Sequence, residues 1–179
     1  MEMFQKGDNS AFDELFSRYK QPLLGYLDRY LANPATAEDV FQQAFLTLWT
    51  KRDSYKGRSL FKTWLYAVAT NLARDTIKHR TRQKQVEADM ELIPAADKPE
   101  SVPTADPPKC GNEALESLKE VVEKLPIEQR ECFVLARYQG LSYREIAGVC
   151  NCSLSAVKMR LHRALKTVTE SLAGGLKSV

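Results

Sequence analysis

The sequence of 179 residues contains few of the side chains from which catalytic and metal sites are built. Its two histidines, His79 and His162, both lie among lysines and arginines, with neither a paired carboxylate nor a spaced nucleophile nearby. None of its eight glycines belongs to a G-x-x-x-x-G-K phosphate-binding loop. The sequence therefore favours a non-catalytic binding protein, and we expect neither a cofactor nor a metal ion.

Cysteines and long apolar runs are scarce as well. No stretch approaches the roughly 18 consecutive apolar residues of a membrane span, and residues 1–8 lack a basic stretch followed by an apolar one. We therefore expect a cytoplasmic protein with reduced thiols. Cys150 and Cys152 have only Cys132 and the histidines as possible co-ligands, since Cys110 lies far along the chain. A thiol- or zinc-based sensor or enzyme is kept as a distant alternative.

The net charge of +3 hides a division of charge along the chain. Residues 1–86 carry 14 Lys/Arg and 9 Asp/Glu, residues 87–118 carry 2 and 8, and residues 119–179 carry 10 and 6. The middle segment also holds five of the eight prolines, which remove backbone donors and disfavour helix. We predict an acidic, flexible linker at 87–112, able to extend over about 85 Å. It separates two basic modules, 1–86 and 113–179.

The first module has the apolar spacing of amphipathic helices. The Ser/Thr-x-x-acid patterns Ser10–Asp13 and Thr36–Asp39 predict two helix starts, and Pro22 predicts either a continuous first helix or a kink. In the second helix Leu46 lies on the polar side, together with Asp39, Gln43 and Thr50. The residues alone leave two interpretations of Leu46 open, a tolerated surface leucine or a contact with a partner.

A third helix is predicted at about 60–82, with a basic turn at 55–59 before it and a basic run at 78–84 after it. Its apolar face is opposed by a polar row that ends in cations. The row consists of Thr63, Thr70, Asn71, Arg74 and Lys78. A charge run is often only a solvated face, but an amide and hydroxyls above the cations favour nucleic acid. Trp64 and Tyr66 are assigned to the core, with base stacking as the lesser alternative.

The second module contains the pattern of a helix-turn-helix. Ser142–Glu145 is a capping box that opens a short helix after Gly140, and Asn151 suits the left-handed residue of the turn. Ser153 can cap the next helix, whose Val157 lies ten residues after the small Ala147. This spacing is typical of a helix-turn-helix.

The exposed side of the last helix carries positive charge. The segment 153–166 contains four lysines and arginines and no acid. Because a solvated helix usually mixes both signs, an entirely basic face indicates DNA binding, with cations on phosphates and the N-terminal half at base edges. The residues on this face are Ser155, Ala156, Lys158, Met159, Arg160, His162 and Arg163.

These motifs together resemble the extracytoplasmic-function (ECF) class of bacterial sigma-70 family RNA polymerase sigma factors. The resemblance is carried by Lys6–Asp8 with Ala11–Phe12, Glu38–Phe45, Phe61–Leu65 with Asn71, and Leu141–Ala147. It covers both modules and leaves the linker and the extreme tail unmatched. It implies an all-α protein of two small helical domains, a region 2 helical bundle and a region 4 helix-turn-helix, joined by the acidic linker.

The resemblance also implies site residues. Asp39, Gln42, Gln43 and Leu46 would bind the β′ clamp helices of core RNA polymerase, although an acid is common in the family where Gln43 stands. The -10 element would be opened by the third helix and its preceding loop, with Asn71 at the position of a base-reading asparagine. The residues concerned are Tyr55, Lys56, Arg58, Thr70, Asn71, Arg74 and Lys78. The face from Ser155 to Arg163 would read the -35 element, with Ala156 and Met159 where polar residues are frequent.

The partners implied by the resemblance are core RNA polymerase (β′ clamp helices and β flap), promoter DNA and an anti-sigma factor, which could hold the protein at the inner membrane. The function expected is promoter-specific transcription initiation without catalysis, and no stable homo-oligomer is expected. A LuxR-like dimeric regulator is the alternative, since it would also end in a helix-turn-helix. Capture of core polymerase by the monomer separates the two hypotheses.

Overall fold

The computed structural model describes residues 1–57, 59–90 and 113–175, and every regular element in those ranges is helical. The helices are α1 (Glu2–Gln5), α2 (Asn9–Leu31), α3 (Pro34–Thr50), α4 (Phe61–Met90), α5 (Glu113–Lys124), α6 (Ile127–Arg137), α7 (Tyr143–Cys150) and α8 (Leu154–Gly175). A short 3₁₀ turn, Arg52–Ser54, follows α3. The prediction of an all-α fold is confirmed. Within these ranges no helix has both the length and the apolar character needed to cross a membrane.

Helices α1–α4 form the first module, where α3 packs against both α2 and α4. Their apolar faces meet in a core that includes Leu23, Leu27, Ala44, Leu48 and Leu65, none of which is exposed. Pro22 lies inside α2, which runs as one helix from Asn9 to Leu31.

Two predicted helix starts are displaced in the structure. Asp8 caps α2 by accepting from the Ser10 backbone N–H at 2.9 Å, so the helix begins before Ser10. Asn33 caps α3 by accepting from the Thr36 backbone N–H at 2.9 Å, and Pro34 occupies its first turn. In each case another capping residue stands just upstream of the predicted one: Asp8 is as good a cap as Ser10, and Asn33 is a better one than Thr36. Pro34 also suits the first helical position.

Helices α5–α8 form the second module, and α7 and α8 are the helix-turn-helix. Ser142 and Glu145 form the full capping box at the start of α7, as predicted. Asn151 ends α7 in the left-handed conformation, with φ 49°, and the Ser153 hydroxyl accepts from the Ala156 N–H at 3.2 Å. Val157 is completely buried against the first helix of the pair. These local predictions for the turn are confirmed.

The two modules pack directly against each other, chiefly through α4 on α7 and α2 on α6. Helix α4 continues to Met90, four residues beyond the predicted end of the first module at residue 86. The rest of the predicted linker, up to residue 112, lies outside the described residues. The contact between modules decides which polar side chains of α4 are free.

Candidate nucleic-acid interface

The outer face of α8 is open to solvent. Ser155, Lys158, Met159, His162 and Arg163 are all exposed, with Ala156 and Arg160 partly buried at the edge of the face. Val157, Leu161 and Ala164 point into the core of the second module and hold the helix in place. The structure therefore brings together all seven residues that the sequence assigned to this face.

The neighbouring helix α6 adds an acid to this face. Glu128 accepts from Arg160 Nη2 at 2.7 Å, and its side chain remains 65% exposed. The expectation of a face without acidic groups, drawn from residues 153–166 alone, is therefore wrong for the folded module. Because Glu128 neutralises Arg160, the cations without a counter-ion in this part of the face are Lys158 and Arg163, neither of which has a carboxylate partner among the described residues.

The polar row of α4 is only partly open to solvent, because packing within the first module and against the second covers some of its side chains. Asn71 and Lys78 are exposed, as predicted. Thr63 and Thr70 are buried, so the expectation that the whole row faces solvent is wrong. The Thr70 hydroxyl is 2.8 Å from the phenol oxygen of Tyr26 in α2. The Thr63 hydroxyl donates to Glu145 Oε1 of α7 at 3.1 Å.

Arg74 is held by a carboxylate of the second module. Its Nη2 donates to Glu131 Oε1 at 2.7 Å and to Oε2 at 2.9 Å, and its Nε donates to Oε2 at 3.2 Å. Nη2 also reaches the Cys150 carbonyl at 3.1 Å. Burial alone would lower the pKa of the guanidinium, but the carboxylate outweighs it and raises the pKa of Arg74 above its ordinary value. Arg74 cannot bind a phosphate while it holds Glu131.

Gln139 forms a second polar contact between the modules. Its Oε1 accepts from the Tyr66 hydroxyl at 2.5 Å, its carbonyl accepts from Lys62 Nζ at 2.5 Å, and its Nε2 donates to the Pro22 carbonyl at 3.2 Å. Tyr66 is completely buried, which confirms its assignment to the core, and burial raises the pKa of its phenol. Trp64 is only partly buried, packed on the core beside Tyr55.

The loop before α4 is anchored at both ends. The Tyr55 hydroxyl donates to the Ser59 carbonyl at 2.8 Å, and Gln5 Nε2 donates to the carbonyls of Arg52 and Tyr55, both at 2.8 Å. Lys56 is exposed at the tip of the loop. Arg58, which the sequence places in the same site, lies outside the described residues.

A third surface lies on α3. Asp39, Gln42, Gln43 and Leu46 are all exposed at helical spacing of three and four residues, so they share one face. The Leu46 side chain is 62% exposed. The opposite side of the same helix, with Val40, Phe41, Ala44 and Phe45, is buried. The α3 face therefore lies apart from the packing of its own module.

Glu131 and Gln139 were missed by the sequence analysis. Glu131 immediately precedes the apolar run Cys132–Leu135, and it is only 1% exposed. A carboxylate inside a buried stretch requires a cationic or hydrogen-bonding partner, which was the available signal. The identity of that partner depends on packing between elements 57 residues apart, and no local pattern encodes it.

The cysteines form no metal site in the described part of the chain. Cys132 and Cys150 are buried free thiols, and Cys152 is half-buried. Among the described residues, no group of three or more His, Cys, Asp or Glu side chains is arranged to hold a metal ion. Contact with the Cys132 thiol, together with burial, raises the pKa of Cys150, so this thiol remains protonated. Cys110 lies outside the described residues.

Comparison with known proteins identifies both modules. The family model for sigma-70 region 2 matches residues 15–83, and the model for sigma-70 region 4 matches residues 115–168. The chain belongs to the sigma-70 family. Region 2 thus contains α3 and most of α4, and region 4 contains the helix-turn-helix.

Whole-chain relatives place this sigma factor in the ECF class. It is 32% identical to the ECF RNA polymerase sigma-E factor of Escherichia coli K12 over 94% of this chain and 90% of that protein. It is also 32% identical to the RNA polymerase sigma factor CarQ of Myxococcus xanthus, over 96% of this chain and 95% of that protein. As a sigma factor it directs transcription initiation, and a LuxR-like regulator is not favoured.

Among solved structures, it is similar to the sigma factor RpoE of Bartonella quintana, which was crystallised with the anti-sigma factor NepR. The TM-score is 0.75 at 26% identity, with coverage of 91% of this chain and 97% of that chain. Similarity over almost the whole of both chains includes the arrangement of the two modules, and it confirms the predicted fold of a helical region 2 with a helix-turn-helix region 4.

Proposed function

We propose that the exposed surfaces of α3, α4 and α8 are, respectively, the polymerase, -10 and -35 contacts of this sigma factor. The observation that carries the proposal is the α8 face, because it is basic, solvent-exposed and mounted on the second helix of a helix-turn-helix. Such a helix enters the major groove, with cations on phosphates and its N-terminal half at base edges. The proposed -35 contacts are Ser155, Ala156, Lys158, Met159, Arg160, His162 and Arg163. In the structure the Arg160 guanidinium is paired with Glu128.

The α3 face is the polymerase contact in this proposal. Leu46 follows Asp39, Gln42 and Gln43 on this face and is 62% exposed, so it contributes little to the core of the first module. The β′ clamp helices of core polymerase are the expected partner, and the β flap is the partner expected for region 4. Burial of Leu46 beside this polar row would supply apolar contact energy, while the polar groups next to it set the orientation.

The -10 contact uses the exposed part of α4 and its preceding loop. Asn71 supplies an amide for a base edge, and Lys56 and Lys78 supply charge for phosphates. Arg58 belongs to the same proposed surface by its place in the sequence. Thr70 and Arg74 remain proposed contacts, but in the structure each is occupied by another side chain. Arg74 can therefore reach DNA only when the modules separate.

The remaining properties follow from the same proposal. The protein acts without catalysis and without a cofactor, in the cytoplasm, as one chain per polymerase. The acidic segment placed at 87–112 is the proposed linker that lets the DNA-binding surfaces reach two promoter elements. An anti-sigma factor is a proposed partner, supported by the RpoE structure with NepR, and it could retain the protein at the inner membrane.

Reconstituted transcription tests the proposal. Core RNA polymerase with this protein should start transcripts at specific sites in a genomic promoter library, and the monomer should capture core subunits. Leu46→Ala should weaken that capture about tenfold, because truncating a leucine buried at an interface costs on the order of 1–2 kcal/mol. Met3→Ala is the matched control, since Met3 is also 62% exposed but lies on α1.

Two results would count against the assignment. Capture of core polymerase that is equally strong for Leu46→Ala and the wild type would exclude the α3 face. Binding of a palindromic site by a dimer, without polymerase, would support a LuxR-like regulator instead.

A further inference from the structure

The centre of the exposed α8 face is apolar. At 100° per residue, Ser155, Met159 and Arg163 form one stripe, with Met159 in the middle and Ala156 about 60° to one side. Met159 is 54% exposed, and its one polar atom is a thioether sulfur, which is a weak acceptor and no donor. The side chain at the centre of the face therefore recognises a base chiefly through apolar contact.

Around this apolar centre the surface is suited to DNA. Lys158 and Arg163 lie on either side, both exposed and without a carboxylate partner in the described structure. The nearby acid, Glu128, is neutralised by Arg160 at 2.7 Å. A protein helix docking here would have to bury Lys158 and Arg163 against matching acids. A DNA duplex instead presents phosphates on both sides of a groove, which the flanking cations can neutralise.

We propose that Met159, with Ala156 beside it, selects a thymine in the -35 element through the C5-methyl group. The proposal rests on the proposed function of the α8 face. In the major groove the thymine methyl is the apolar group that a base pair offers, while the other base edges present donors and acceptors. A guanine, adenine or cytosine edge placed against Met159 would lose hydrogen bonds to water and gain none from the protein.

The experiment removes the methyl group alone. Promoters selected from a random library by the holoenzyme are remade with deoxyuridine in place of each -35 thymine in turn, which preserves base pairing. At the one or two positions read by Met159 and Ala156, deoxyuridine should weaken holoenzyme binding about fourfold, the factor given by the transfer free energy of about one methyl group. When cytosine is placed at that position, methylation of its C5 atom should strengthen holoenzyme binding.

Variants assign the effect to the side chain. At the position read by Met159, Met159→Ala should abolish the difference in affinity between thymine and deoxyuridine DNA, and Met159→Leu should retain it, since leucine keeps the apolar contact. More than half of Met159 is exposed, so neither substitution removes a core contact. Arg163→Ala should weaken binding to both DNAs equally, because a phosphate contact does not distinguish the methyl group.

The outcomes separate this inference from the function on which it rests. If the holoenzyme selects a -35 sequence but deoxyuridine changes its affinity by less than twofold at every position, the thymine contact is refuted. If Met159→Ala captures core polymerase more weakly but keeps the same DNA preference, Met159 and Ala156 contact a protein partner. That result would also refute the thymine contact. If the holoenzyme selects no -35 sequence at all, the proposed function itself fails.

Discussion

The ion pair between Arg74 and Glu131 should couple the two modules energetically. The Glu131 side chain is 2% exposed and that of Arg74 is 27% exposed, and three short hydrogen bonds join them. Removing one member of a buried pair leaves the other charge unpaired, which costs about 3–5 kcal/mol. Because water reaches part of Arg74, we expect Glu131→Gln to lower the free energy of unfolding by about 3 kcal/mol, at the low end of that range.

Arg74→Met should lower the free energy of unfolding by more, about 4 kcal/mol, since it leaves a nearly inaccessible carboxylate without its cation, although the Tyr30 hydroxyl still donates to it at 3.3 Å. In the double variant no charge is stranded. The loss of stability should therefore fall short of the sum of the single losses by about 2–3 kcal/mol. This shortfall is the coupling free energy of the pair.

Urea unfolding followed by tryptophan fluorescence measures these losses. Both tryptophans, Trp49 and Trp64, lie in the first module, so the signal reports its unfolding in the full chain. With an m value of about 2 kcal/mol/M, a loss of 3 kcal/mol lowers the midpoint by about 1.5 M. Glu14→Gln is the control, because Glu14 pairs with Arg18 at 2.6 Å in the same module but fully at the surface.

The control should shift the midpoint by less than about 0.5 M, since exposed pairs contribute at most about 1 kcal/mol. A shift for Glu131→Gln no larger than that of Glu14→Gln would refute the reasoning. So would strictly additive losses in the double variant, because additivity means that the two side chains do not interact.

Two further predictions concern the -10 surface and the helix-turn-helix. Asn71→Ala should impair opening of the promoter more than initial binding, because Asn71 is exposed and its amide can hold an unpaired base; equal permanganate reactivity of -10 thymines in variant and wild type would contradict this. Ser142→Ala should cost about 1 kcal/mol at pH 7, measured by urea unfolding with circular dichroism, because it removes the cap of α7. Hydrogen bonds from Ser142 lower the pKa of Glu145, so their stabilising effect is present above pH about 4.3 and is lost as the pH falls further. The difference in the free energy of unfolding between Ser142→Ala and the wild type should therefore become smaller in acid. A difference that does not change with pH would exclude a stabilising hydrogen bond from Ser142 to the charged Glu145 carboxylate.

Local features were predictable from the sequence to the extent that neighbouring residues determine them. The capping box at Ser142, the left-handed Asn151 and the cap at Ser153 each depend on residues within one turn, and all three predictions were confirmed. The starts at Ser10 and Thr36 were wrong because a competing cap stood two or three residues upstream. Every capping residue near a predicted start therefore has to be considered, rather than the one that matches a pattern.

The accessibility of α4 could not be predicted in the same way. Helical periodicity places Thr70 and Arg74 opposite the core of their own module, but Thr70 is buried and bonds Tyr26 of α2 within that module. The second module covers Arg74, whose partner Glu131 lies 57 residues further along the chain. Periodicity describes one helix, whereas burial here depends on a surface contributed by a distant one.

The first helix affects how a minimal region 2 fragment should be designed. The matched region begins at residue 15, but Phe4 is completely buried, with ring centroids 5.3 Å from both Phe12 and Trp49. Gln5 also supports the loop that precedes α4. A fragment cut at the boundary of sequence similarity would lose an aromatic core contact and the support of a DNA-facing loop. Fragments for binding studies should therefore retain α1, and fluorescent labels are better attached away from it.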